Sequence, residues 1–168
     1  MKKPLLTFLT LFLMLGGVAR ALGGAVNEGV VNLKCTVKNI EQDKNYYPDK
    51  PNIGKVIVYK IDDRSEKKSL TTKDFHFLYN LSPLKKNTVL FSFATINRND
   101  RSFERSSIEI QNELLKDLPD IEKKYSGIDK FKKIAEFHNL WFQGNKGVYP
   151  DKYLWRVEKG DCSALGKL

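Results

Sequence analysis

Apolar and polar residues first alternate with a period of two, then switch to a period near 3.6, which predicts strands followed by a helix. Val30 to Lys38 reads V-V-N-L-K-C-T-V-K. Val31, Leu33, Cys35 and Val37 share one face, and Asn32, Lys34, Thr36 and Lys38 the other, as in a half-buried strand. Asn39 to Asn52, polar and containing Pro48 and Pro51, reads as a loop. Lys55 to Ile61 is β-branched and aromatic and predicts a second strand. A charged turn from Asp62 to Lys68 leads to a short strand from Asp74 to Tyr79, with Phe75, Phe77 and Tyr79 on one face. Pro83 and Lys85-Lys86-Asn87 mark the next turn. Thr88 to Asn97 (T-V-L-F-S-F-A-T-I-N) is apolar on both faces at its centre, which suits a central strand. Arg98 to Arg101 is a turn in which Asn99 or Asp100 suits left-handed backbone, and Ser102 to Ile110 returns as the hairpin partner.

The period then changes. Asn112 to Tyr125 is rich in Glu, Leu, Lys and Asp, and Pro119 suits the first turn of a helix. From Ile128 to Phe142, Ile128, Phe131, Ile134, Ala135, Trp141 and Phe142 fall on one side of a helix. Lys132, Lys133, Glu136 and Asn139 fall on the other, with Gly144 and Gly147 as the stop. Tyr149 to Val157 alternates again and predicts a closing strand, with Gly160 and Cys162 just after it. The expected fold class is α+β: a curved antiparallel sheet of about six strands with a helical segment inserted before the last strand.

The first residues have a different pattern. Met1-Lys2-Lys3 is basic, Leu5 to Leu15 is an apolar run broken only by Thr7 and Thr10, and Gly16-Gly17 precedes Ala19-Arg20-Ala21. That order of charge, apolar stretch and small residues is the anatomy of a secretory signal peptide. The run is shorter than the roughly 20 residues of a membrane span, which weighs against the competing reading of a retained anchor. We therefore divide the chain into a leader, 1–21, and one exported domain, 22–168, in the periplasm or secreted. The two cysteines, Cys35 and Cys162, lie near opposite ends of that domain. An even count in an oxidising compartment predicts one disulfide, and the strand pattern puts Cys35 on a core face. A loop that long is stabilised by about 5 kcal/mol in the chain-entropy view.

Composition narrows the chemistry further. The 168 residues carry 29 basic and 20 acidic side chains, a net charge of +9. Loss of the leader removes Lys2, Lys3 and Arg20 and leaves +6. No basic-aromatic platform accompanies that charge, so we expect no nucleic-acid partner; an anionic envelope component or another protein suits it better. The two histidines, His76 and His138, share no metal-ligand spacing, and no glycine loop or nucleophile motif is present. We expect no metal and no cofactor. His76 alternates away from Phe75 and Phe77, which places it on the surface side of its strand.

Three short stretches resemble a loose group of small exported proteobacterial proteins of unknown function. They are Leu33-Lys34-Cys35, Thr95-Ile96-Asn97-Arg98 with Ser102-Phe103 after its turn, and Gly160-Asp161-Cys162. The likeness covers about a dozen residues and implies no activity. It makes Asn97 and Arg98 the polar residues of most interest: Arg98 suits a carboxylate or phosphate, and both residues equally suit fixing the turn through hydrogen bonds to backbone. Asn97, Arg98 and His76 are the candidate binding residues, and none is assigned a catalytic role. The expectation is a non-enzymatic, envelope-associated binding or interaction protein. The competing classes are a hydrolase using His76 or His138 with a carboxylate, and a secreted inhibitor or effector.

Overall fold

The computed structural model describes residues 29–43, 52–62, 68–85, 87–147 and 154–165. The leader and the start of the expected Tyr149 strand lie outside the described residues. Among the described residues seven strands form one antiparallel sheet, where about six were expected: β1 (Val30–Gln42), β2 (Val56–Asp62), β3 (Ser69–Thr71), β4 (Phe75–Lys85), β5 (Thr88–Asn97), β6 (Ser102–Gln111) and β7 (Trp155–Ala164). Between β6 and β7 lie a 3-10 turn (Asn112–Leu115) and two helices, α1 (Leu118–Lys124) and α2 (Gly127–Gly147). The order across the sheet is β2-β1-β7-β6-β5-β4-β3, and its curvature nearly closes it into a barrel.

The strand that sequence periodicity misses is β3, whose three residues are too few to show a period. All three are nonetheless buried. Strand β4 runs through Pro83 instead of turning there. Beyond the three residues paired to β3, that side of β4 is a sheet edge, where a missing N–H is tolerated. Strand β7 begins at Trp155 and continues past Gly160 and Cys162 to Ala164. Gly127 marks the junction of the helices with φ +50°, a left-handed conformation that favours glycine, and α2 passes through Gly144 before ending at Gly147. In the hairpin turn the left-handed residue is Arg101 (φ 62°), not Asn99 or Asp100.

Strand β1 lies between β2 and β7, and Cys35 stands directly opposite Cys162. The two form a disulfide across adjacent strands. Two residues earlier on β7, Gly160 faces Val37 and Phe103. A Cβ there would sit 1.9 Å from the Thr36 carbonyl oxygen and 2.8 Å from Phe103 Cε1. The G-x-C stretch is thus a close-approach position followed by a crosslink. Beside it β1 bulges between Val37 and Asn39.

The sheet has two cores. On its outer face Phe77, Tyr79, Phe91, Phe93, Ile108 and Ile110 receive Leu118, Phe131, Ile134, Ala135 and Phe142 from the helices. This is the side of α2 that the 3.6 period assigns to the core. The Tyr79 hydroxyl donates to Glu122, tying α1 to the sheet. On the inner face Leu33, Cys35, Val37, Ile61, Ile96, Phe103 and Cys162 pack together. Along the strands that apolar plug gives way to charge. Arg105 donates Nε and Nη2 to Glu158, whose other oxygen accepts from Arg156 at 3.4 Å. Arg156 also donates twice to Gln42 Oε1, at 3.0 and 2.7 Å. Burial raises the pKa of Tyr59 beside them to about 12, against the opposing pull of Arg105. The polar side of β7, Arg156 and Glu158, therefore faces the barrel interior and not water.

Two stability effects follow. Gly160→Ala should lower the unfolding free energy by about 3 kcal/mol, the upper end for forced overpacking, because backbone must move. Glu158→Ala should cost about 3 kcal/mol by removing the carboxylate that Arg105 and Arg156 share, which leaves Arg156 only the Gln42 amide among these partners. Urea unfolding monitored by tryptophan fluorescence measures both, and midpoints within error of the parent would contradict these packing assignments.

Candidate functional site

The outer sheet face changes character beyond the helices. Phe91 and Phe93 on β5 are followed, two and four residues on, by Thr95 and Asn97; on β7, Val157 is followed by Lys159 and Asp161. Phe77 pairs with Thr95, Thr95 with Glu104, and Glu104 with Lys159. In the next row Phe75 pairs with Asn97, and Ser102 pairs with Asp161. These residues line an open groove of about 310 Å³ that crosses the ends of β4, β5, β6 and β7 and reaches the β1 bulge at Lys38 and Asn39.

Charge in the groove is balanced. Lys159 Nζ lies 2.9 Å from Glu104 Oε2, and Lys38 pairs with Asp161. Lys38–Asp161 is open to solvent and is worth at most about 1 kcal/mol, while Lys159–Glu104 is only partly exposed, its Glu104 side chain 17% accessible. Phe75 adds an aromatic ring, Thr95 and Ser102 add hydroxyls, and Asn97 adds an amide. The chemistry on offer is hydrogen bonding and paired charge. No histidine or cysteine side chain lines the groove. Among the described residues no cluster of three or more His, Cys, Asp or Glu side chains is arranged to hold a metal ion.

Of the three candidate binding residues, one lies here. Asn97 borders the groove while its Oδ1 accepts the N–H groups of Asn99 at 2.8 Å and Asp100 at 3.4 Å. The turn is closed by Asp100, whose carboxylate accepts from the Ser102 hydroxyl and N–H; these bonds hold its pKa below the usual value. Arg98 points away from the groove and donates to the carbonyls of Thr72 (2.7 Å) and Lys73 (3.0 Å). It clamps the β3–β4 turn to the β5–β6 hairpin, while the side chain that bonds the hairpin turn itself is Asn97. His76 is 5% exposed, on the inner face, with Nδ1 2.8 Å from Thr71 Oγ1. Its expected surface position is corrected: the side of β4 away from the helices faces the barrel interior, not solvent.

Sequence reasoning missed Phe75, Thr95, Glu104, Lys159, Asp161 and Lys38 as site residues. The available signal was alternation: each continues the helix-covered face of its strand, except Lys38, which the bulge brings in. No family model, curated protein or solved structure matches this chain. No helix among the described residues is long and apolar enough to cross a membrane.

His138 belongs to the packing, not to the groove. Its ring sits among Phe91, Phe93 and Phe142, and burial lowers its pKa to about 4 from 6.5. The folded chain thus holds the neutral ring, while the unfolded chain takes up a proton below pH 6.5. Stability from this group is complete above about pH 6.5 and falls as pH drops toward 4, by about 3 kcal/mol in all. Urea titrations across that window should show a smaller acid loss in His138→Phe than in the parent; identical slopes would remove His138 as the cause.

Proposed function

We propose that this chain is an exported, non-enzymatic binding protein whose ligand lies across the groove beside the 97–102 turn. The observation that carries the reading is the convergence of two ion pairs, two hydroxyls, two amides and two aromatic residues in one groove left uncovered by the helices. The leader-like first 21 residues and the crosslink support an extracytoplasmic setting. The likeness to small exported proteins points the same way: Thr95, Asn97, Ser102, Phe103, Gly160 and Asp161, all from the stretches that carry it, line the groove.

The ligand class follows from the charge balance. Two lysines and two carboxylates alternate across the strands, so a ligand bearing both signs can displace each partner in turn. Strands about 4.8 Å apart make a track of roughly 20 Å from β4 to β1. A short, extended peptide-like segment carrying both amine and carboxylate fits that track and its chemistry.

Native mass spectrometry of the protein isolated unreduced from its own compartment tests this. The expected species starts near Leu22, keeps the disulfide, and retains a peptide-sized adduct that Glu104→Lys/Lys159→Glu releases. An adduct indifferent to that exchange, or no such adduct, would move the function elsewhere.

A further inference from the structure

The helices pack over β3, β4, β5, β6 and the start of β7, leaving the outer face of β1 and β2 exposed. Seven large apolar side chains are exposed among the described residues. Four of them lie on this one face: Val30 on β1, Val56 (45%) and Val58 (60%) on β2, and Leu165 just past β7, whose N–H donates to the Asn32 carbonyl. A fifth, Ile53 (62%), stands in the turn that feeds β2. Scattered apolar residues on a surface need no explanation, but a cluster does.

Lysines interleave these valines. Lys34 pairs across the ladder with Val58, and Lys60 pairs with Asn32, on the same outward face. Both lysines are exposed. At the border of the face Asp161 is engaged by Lys38; Asp62, opposite Val30, shares the face, so two lysines against one carboxylate set the sign of the field. Two copies of the domain meeting here face to face would bring like charges together on a domain of net charge +6. Short branched side chains among lysines match a different surface, an interface of acyl chains beneath anionic headgroups. There the apolar tips enter the headgroup layer, and the lysines extend to phosphate.

We propose that the outer face of β1 and β2 docks on a bilayer surface rich in anionic headgroups. Val56 and Val58 enter the headgroup layer, and Lys34 and Lys60 meet its phosphates. The proposal is independent of the groove, which meets this face only at the Lys38–Asp161 pair.

Flotation of the disulfide-intact domain with phosphatidylcholine vesicles, with and without phosphatidylglycerol, provides the test. Binding should require the anionic lipid and weaken as salt rises. Lys34→Glu/Lys60→Glu should reduce partitioning at least about 30-fold, at roughly fivefold for each lysine removed. Val56→Ser/Val58→Ser should also reduce it, with an unchanged circular dichroism spectrum. Lys132→Glu/Lys133→Glu, a charge change of equal size on α2, should leave binding within about threefold of the parent, because only diffuse charge is altered. The proposal is overturned if the α2 pair weakens binding as much as the β-face pair, if neutral vesicles bind equally, or if no vesicles bind at low salt. It is also overturned if ultracentrifugation shows a dimer that Val58→Ser dissolves, since a second copy would then cover the face.

Discussion

The fold depends on one junction inside its sheet, where the first and last strands meet. Antiparallel neighbours come cheaply when a short turn joins them, as in β4–β5–β6, but β1 and β7 are separated by most of the domain. Three local features hold that distant pairing in one register. Cys35 and Cys162 face each other and are bonded. Gly160 lets the Thr36 carbonyl and the Phe103 ring approach a position that no larger residue could occupy. The N–H of Cys162 is held by the carbonyl of Arg101, the left-handed residue of the β5–β6 turn. A slip of one residue would break all three and invert both faces of β7.

Once β7 is fixed there, the two sides of the sheet acquire separate tasks. The outer side carries the aromatic surface that α2 covers. The inner side begins as an apolar plug around the disulfide and continues into the Arg105–Glu158–Arg156 network. A buried network of that kind gives little net stability over an apolar core, but its partners must all be present. It acts as a register lock: Glu158 meets Arg105 across β6 and lies next to Arg156 on its own strand, so only one alignment of β6 and β7 satisfies it. Disulfide and ion network fix the same strand from its two ends, one by a covalent bond and the other by mutual charge satisfaction.

Period and crosslink were legible in the sequence because each is a local or pairwise signal. The bounds of β5, Thr88 to Asn97, and its place inside the sheet follow from the pattern, and so do Phe131, Ile134, Ala135 and Phe142 on the buried side of α2, though not Lys130 and His138, which are buried there as well. The pairing of Cys35 with Cys162 already implied that the sheet curls back on itself. What escaped depended on closure. His76 reads as solvent-facing because it alternates with Phe75 and Phe77, and in an open sheet that inference is sound. In a nearly closed sheet the side away from the helices is also an interior. The groove escaped for a related reason. Glu104, Lys159 and Asp161 are ordinary charged strand residues until one knows where the helices stop.

That stopping point links fold to function. The outer face has one alternation throughout, yet it passes from a helix-covered aromatic core to a charged groove within two residues on β5, from Phe93 to Thr95. On β7 the same change occurs between Val157 and Lys159. The groove is therefore the uncovered continuation of the core surface, on strands whose other ends are held rigid by α2 and whose near ends are held by the disulfide and the Asn97 turn. Arg98, clamped to the carbonyls of Thr72 and Lys73, restrains the β3–β4 corner at the same end. A ligand lying across β4 to β1 would meet side chains on a scaffold fixed on both sides, so little ordering would remain at the moment of binding. Ion pairs at the surface of the groove suit such a place. They keep the lysines and carboxylates oriented in the free protein and exchange partners at little cost.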